Sequence, residues 1–199
     1  MKNGTSSEKK KKPLPTIEQV EGERKRLRYR ERYERTMRST VTVLITAAAA
    51  AVLCAMLWFP VLRIYGNSMS PTIGSGQIAV ALKSSRFEQG DVVAFYYGNK
   101  LLVKRCIAGP SQWVAMDADG TVYVDNERLD EPYLTEKAYG DVSIDFPYQV
   151  PDGKYFLMGD NRSLSLDSRS TAVGCVDEEQ IIGKVIFRIW PLSVFGRLE

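Results

Sequence analysis

Residues 91–107 read DVVAFYYGNKLLVKRCI. Asp91 to Tyr97 and Leu101 to Ile107 are two short runs rich in β-branched, aromatic and aliphatic residues, separated by Gly98-Asn99. Runs of that length, divided by a turn signal, predict strands. The pattern recurs downstream at Val122-Tyr123-Val124, Lys154 to Met158 and Lys184 to Trp190. Asp117-Ala118-Asp119-Gly120 and Pro151-Asp152-Gly153 punctuate it as turns. Long helical periodicity is missing from this part, apart from a short turn near Asp177 to Gln180. Residues 64–199 therefore read as a mostly β domain of ordinary size.

Working upstream, Val41 to Leu62 reads VTVLITAAAAAVLCAMLWFPVL, a run of 22 residues without a charge. As a helix at about 1.5 Å per residue it reaches about 33 Å, enough for a hydrocarbon core of roughly 30 Å. Trp58 and Phe59 suit a membrane interface, and Arg63 closes the run. A cleavable secretory signal would have an apolar core of only about 7–15 residues followed by a small-x-small site. Here the run is longer and ends in bulky Trp58-Phe59-Pro60, so residues 39–63 read as a retained transmembrane anchor.

Residues 1–38 hold 13 Lys/Arg against 6 Asp/Glu, a charge of +7, within a chain whose formal total is only +3. Lys9 to Lys12, followed by Pro13 and Pro15, reads as a disordered tail. A charged helix is predicted from about Thr16 to Arg38, with Glu31/Arg35 and Glu34/Arg38 at i,i+4 spacing. Basic runs also suit nucleic acid. A membrane segment follows at once, however, so the stretch reads as a tail that sets topology and touches anionic lipid, with no nucleic-acid partner. On that reading residues 1–38 stay in the cytoplasm and residues 64–199 face outward.

The chain has no histidine. Ser-His-Asp and Cys-His catalysis are thereby excluded, as are histidine-containing zinc sites. Three scattered cysteines do not make a cysteine-only metal site; Cys106 and Cys175 could pair if their Cβ atoms came close, and otherwise read as two buried free thiols. A hydrolase built from this sequence must take its base from Lys, Asp, Glu or Tyr. Lys104 stands out because it falls inside an apolar strand, sharing a face with Leu102 and Cys106. Burial of a lysine is costly unless the amine is neutral, and burial itself lowers the pKa from about 10.4. Gly66-Asn67-Ser68-Met69-Ser70-Pro71-Thr72 can hold Ser68 on a tightly bent backbone whose N–H faces a substrate carbonyl, or can be only a turn. Gly159 to Arg169 is dense in hydroxyls and opposite charges, which can lock neighbouring segments or orient an amine.

In this order, behind an N-terminal anchor, these stretches resemble the signature of the bacterial type I signal peptidases. Ser68-Met69-Ser70-Pro71-Thr72 resembles the family's S-M-x-P-T box, Gly90-Asp91-Val92-Val93 its G-D-[IV]-V box, and Lys104-Arg105 its K-R box. Gly159 to Arg169 matches G-D-N-R-x-x-S-x-D-S-R at every fixed position. The resemblance implies a mainly β, antiparallel catalytic domain that removes signal peptides from secretory preproteins at the bilayer, with no cofactor or metal. It assigns Ser68 as nucleophile, Lys104 as general base and Ser165 as the hydroxyl that holds the lysine amine. Asp160 with Arg105, and Asp167 with Arg169, match structural ion pairs. Leu62, Ile64, Met69, Leu102 and Val103 match the lining of shallow pockets for small substrate side chains. Two departures stand out. Gly66 replaces a serine that helps bind the oxyanion in some members, a trait closer to the Gram-positive ones. Ala108-Gly109-Pro110-Ser111-Gln112 replaces the common G-L-P-G-D. Two other classes fit parts of the sequence: a catalytically silent, membrane-tethered β domain that binds a partner, and a Ser-Lys autoprotease acting on a linked repressor. The latter would need a DNA-binding module where the anchor stands.

Overall fold

The computed structural model describes residues 16–84 and 86–198. The lysine run Lys9 to Lys12 lies outside the described residues. The chain divides into two units at Leu53/Cys54. Helix α1, Ile17–Trp58, joins the charged stretch and the apolar stretch in one element and buries none of its side chains. It is long and apolar enough to cross a membrane. The i,i+4 pairs expected at Glu31/Arg35 and Glu34/Arg38 are not formed: Glu34 accepts from Arg30 at 3.1 Å, and Glu23 from Arg26 at 3.5 Å. Both pairs are solvent-exposed, where such contacts contribute little and alternatives lie close in energy.

The apolar run does not end where the helix ends. Pro60 has no N–H to donate and biases Phe59 away from helical geometry, so α1 stops at Trp58. The next three residues, Val61–Arg63, form strand β1. Residues 61–63, at the C-terminal end of the expected anchor 39–63, are thus strand and not helix. Leu62 belongs to the β domain, where it is buried.

Among the described residues eleven more strands follow β1. These are β2 (Ile78–Leu82), β3 (Val92–Tyr97), β4 (Lys100–Ala108), β5 (Trp113–Met116), β6 (Val122–Val124), β7 (Glu127–Arg128), β8 (Tyr148–Gln149), β9 (Lys154–Met158), β10 (Val176–Asp177), β11 (Ile181–Trp190) and β12 (Gly196–Arg197). All pairings are antiparallel. The larger sheet runs β1-β2-β11-β3-β4-β9-β10, with β12 also on β11, and the smaller runs β7-β6-β5-β8. The turn expected near Asp177 to Gln180 is a 3-10 helix over Glu178–Gln180.

The β3–β4 hairpin forms the centre of the larger sheet and is covered on both faces. Val92 and Ala94 pack with Leu62, Met69, Ile73 and Val103 on one side. Val93 and Phe95 pack with Cys106, Tyr155 and Leu157 on the other. Two-sided burial explains why 91–97 reads as a continuous apolar run and not as an alternating one. A third cluster joins Ile107, Phe156 and Met158 to Val114, Val122 and Val124 of the smaller sheet. The hairpin's register sets Leu102 opposite Phe95 and Lys104 opposite Val93. Both partners belong to the cluster that contains Cys106, so Lys104 shares its strand face with Leu102 and Cys106 as the period of two requires.

Candidate active site

Ser68 sits in a tight turn just after β1. Gly66 takes φ +85°, a left-handed conformation that favours glycine. The Ser70 N–H donates to the Asn67 carbonyl at 3.1 Å, and the Ile73 N–H to that of Met69 at 3.0 Å. Met69 and Ile73 are buried and anchor the turn in the core, while Ser68 stays partly exposed. The Ser68 carbonyl accepts from the Asn161 N–H at 3.0 Å. Among the described residues the Ser68 main-chain N–H has no acceptor.

Lys104, near the middle of β4, is 2% exposed, and its Nζ donates to Ser68 Oγ at 2.7 Å. Burial pushes its pKa down from 10.5 to about 8. Asp167 and Asp160 pull the other way, and Arg169 adds to the lowering. At pH 7 a free lysine amine is neutral in about one molecule in 2,500, whereas a pKa near 8 makes it neutral in about one in ten. In that neutral form the same short contact lets the Ser68 hydroxyl donate to the amine.

Two buried ion pairs frame the lysine. Arg105 grips Asp160 through two bonds, Nε to Oδ1 at 2.9 Å and Nη2 to Oδ2 at 2.8 Å, and donates from Nη1 to the Gly90 carbonyl at 2.7 Å. The Thr72 hydroxyl donates to Asp160 Oδ2 at 2.5 Å, which ties the serine turn to this pair. Arg169 grips Asp167 with two bonds of 2.9 Å and donates to the carbonyls of Tyr139 at 2.7 Å and Arg162 at 2.9 Å. Burial alone would push the Asp167 carboxyl up, but the Arg169 fork and the Gly159 N–H hold it below the usual carboxylate range. Such two-pronged, fully satisfied pairs fix geometry as well as charge.

The Ser165 hydroxyl is buried beside this arrangement with no hydrogen-bond partner, and the lysine amine is bonded to Ser68. Gly159 lies between them. A Cβ there would fall 2.5 Å from both Ser165 Cβ and the Ser68 carbonyl oxygen, so only glycine lets the two loops approach this closely. Gly159→Ala must displace the Ser68 turn or Ser165 beside it. It is expected to lower kcat/KM by about 10²-fold, the effect of roughly 1 Å of misplacement. Unchanged kcat/KM in this variant would show that the two loops need not meet.

A cleft opens beside Ser68, lined by Ile64, Tyr65, Gly66, Met69, Leu102 and Val103 among others. Of the five residues expected to line substrate pockets, Ile64, Met69, Leu102 and Val103 border it. Leu62 does not; it is buried beneath with Ala79 and Ala81. Strand β4 pairs with β9 only from Arg105 onward, so the edge of Leu101 to Lys104 away from β3 has no strand beside it. Cys106 and Cys175 are free thiols, both with pKa raised chiefly by burial, to about 12 and about 11.

Three contacts were not foreseen. Arg162 is paired with Glu131, each side chain 1% exposed, and its Nε donates to the Gly159 carbonyl at 3.2 Å. The Tyr133 ring stacks on the Arg105 guanidinium with 3.8 Å between Cζ and the ring centroid. The Asn161 N–H holds the Ser68 carbonyl. Thr72 and Arg162 stand at fixed motif positions, a signal that could have marked them. Glu131 and Tyr133 carry none.

Residues 37–190 match the family described as signal peptidase, peptidase S26. Signal peptidase IB of Staphylococcus aureus strain Mu50 is 41% identical over 152 residues, 66% of this chain and 78% of its own. Signal peptidase I of Bacillus licheniformis is 36% identical over 172 residues, 80% of this chain and 91% of its own. A crystal structure of a signal peptidase I from Enterococcus faecalis is 28% identical, with a TM-score of 0.44, over 50% of this chain and 97% of that one. The family match spans well over half of the sequence, and on that ground the chain belongs to the signal peptidases of the peptidase S26 family, which are serine peptidases.

Proposed function

We propose that this protein is a membrane-anchored endopeptidase that removes signal peptides from secretory preproteins after small-x-small sites, with Ser68 as nucleophile and Lys104 as general base. The observation that carries this reading is the 2.7 Å contact between Ser68 Oγ and a lysine amine buried to 2% exposure. A binding domain without chemistry has no use for a buried amine aimed at a hydroxyl.

In the acylation step neutral Lys104 takes the Ser68 proton as Oγ bonds to the scissile carbonyl carbon. The free Ser68 N–H stabilises the oxyanion, and Gly66 leaves room for a second donor from water. Lysine then passes the proton to the leaving nitrogen, the C–N bond breaks, and an acyl-enzyme remains. Lys104 next takes a proton from water, whose oxygen attacks the ester carbon; the bond from that carbon to Oγ breaks, and Lys104 returns the proton to Ser68. Asp160 with Arg105, and Asp167 with Arg169, hold the two loops that present these groups. The Ser165 hydroxyl takes the lysine amine while Ser68 is acylated, a role supported by its being buried without a hydrogen-bond partner. No cofactor enters the scheme.

An extended signal-peptide end lies in the cleft between Ile64-Tyr65-Gly66 and Leu101-Leu102-Val103, using the free backbone edge of β4. Ile64, Met69 and Val103 are themselves nearly buried, so the floor is shallow and fits small side chains. The bilayer is the second partner. Basic residues before the anchor place the N-terminus in the cytoplasm and the catalytic domain outside. Substrate and enzyme then share one surface, which raises effective concentration without new contacts.

Detergent-solubilised full-length protein tests this with a preprotein carrying an Ala-x-Ala site. Cleavage is expected to survive in Ser193→Ala, an exposed hydroxyl, and to vanish in Ser68→Ala. Equal cleavage by both would place the nucleophile elsewhere. Activity is also expected to rise with pH along one limb with a midpoint near 8, where Lys104 loses its proton. A profile flat between about pH 6 and 9 contradicts a lysine base of this pKa.

A further inference from the structure

The turn that carries the nucleophile borders two clefts. The first is lined by Ser68 and Met69. The second begins at Ser70 and Pro71 of the same turn and continues along Thr135, Glu136, Asn161 and Ser163. It spans about 680 Å³ of space, part of it open to solvent, against about 380 Å³ in the first, room for more than one side chain. The bond from the Asn161 N–H to the Ser68 carbonyl fastens the wall of the second cleft to the nucleophile itself.

The two clefts differ in chemistry as the two sides of a cleaved preprotein would. Aliphatic side chains dominate the first. The second is lined by hydroxyls, an amide and carboxylates. Of its charged groups, Asp160 and Arg162 are buried and consumed by Arg105 and Glu131. Glu136 is exposed and makes no ion pair or hydrogen bond among the described residues. It is the carboxylate left to meet a ligand. A peptide whose acyl half fills the first cleft must carry its leaving half past Ser68. A polar, roomy channel starting two residues along the turn is available for it.

We propose that the second cleft binds the mature side of the preprotein, the first several residues after the cut bond, and that Glu136 biases it toward a basic residue there. The proposal rests on the Ser68–Lys104 reading above.

The test uses full-length protein in detergent and peptides with one common signal-peptide half. One peptide ends two residues after the cut; others continue for six, with either Lys or Glu at the third to fifth positions. Wild type is expected to cut the long Lys peptide about tenfold faster, in kcat/KM, than the short one, since binding realised across the nucleophile adds to transition-state stabilisation. Thr135→Trp, which fills the cleft from an exposed position, is expected to bring the long-to-short ratio close to one. Glu136→Lys is expected to reverse the preference between long Lys and long Glu peptides, by a few-fold for an exposed charge. Ratios unchanged from wild type in both variants would overturn the proposal while leaving the peptidase standing. Failure of wild type to cut any of the peptides would overturn the peptidase reading itself, and the proposal with it.

Discussion

Replacing Lys104 by methionine is expected to abolish cleavage and, at neutral pH, to make the protein more stable. On the Ser68–Lys104 proposal, loss of the base should lower kcat by roughly 10²–10⁴-fold, the range general-base groups supply. The stability gain follows from the depressed lysine pKa. In the unfolded chain the amine holds its proton up to about pH 10.5, while in the fold it releases it near pH 8. Below pH 8 the folded protein therefore carries a buried ammonium at a cost. Between about pH 8 and 10.5 the unfolded state binds one more proton than the native state, so stability rises with pH over that window. The shift corresponds to about 3 kcal/mol. Methionine is one atom shorter than lysine, fills most of the same space and removes the charge, so Lys104→Met should recover about that amount at pH 7 and lose the pH dependence above 8. Urea unfolding of both proteins in detergent at pH 7 and pH 10 measures the effect. A variant that is destabilised at pH 7 would mean that the amine is not held at a cost.

The second large effect is expected at Glu131. Its carboxylate and the Arg162 guanidinium are both removed from solvent, and Arg162 also braces the Gly159 carbonyl. Glu131→Leu leaves a cation buried without its partner and should cost about 3–5 kcal/mol. Glu131→Leu combined with Arg162→Met removes both charges and should regain most of that loss. Denaturation midpoints of the two single variants and the double variant give the coupling directly. Additive losses would show that the two groups do not depend on each other. Because Glu131 comes from the segment after β7, the pair also links the smaller sheet to the loop that carries Ser165.

The hairpin was legible because Gly98-Asn99 separates two apolar runs, and Lys104 was legible because a charge interrupts one of them. The same logic failed at Val61–Arg63. Those residues continue an apolar run whose first 18 residues are helical, and only Pro60 marks the change of element. Leu62, expected among the pocket residues, accordingly falls in a strand, in the same buried cluster as Ile64, Met69 and Val103 but away from the cleft they border. Strand β2 is a short Ile-Ala-Val-Ala-Leu run whose alanines are the buried members, so local hydrophobicity points to the wrong face. Glu131 was invisible for a different reason. Its partner lies 31 residues on, and nothing in Asp130-Glu131-Pro132 says that one acid will be buried and the other not. Motif boxes gave Arg105, Asp160, Asp167 and Arg169 as paired residues, and the fold brings each within hydrogen-bond reach of its partner. Their local spacing alone could not have set the bidentate geometry.

The charge state of Lys104 in the folded, full-length protein bears most directly on the mechanism. A carbon- or nitrogen-detected NMR titration of the lysine side chains, with Lys104 assigned by its absence in Lys104→Met, reads it without reference to substrate. A midpoint near 8 is predicted. A midpoint near 10.5, the value of an ordinary solvated lysine, would contradict a neutral amine serving Ser68 as its base.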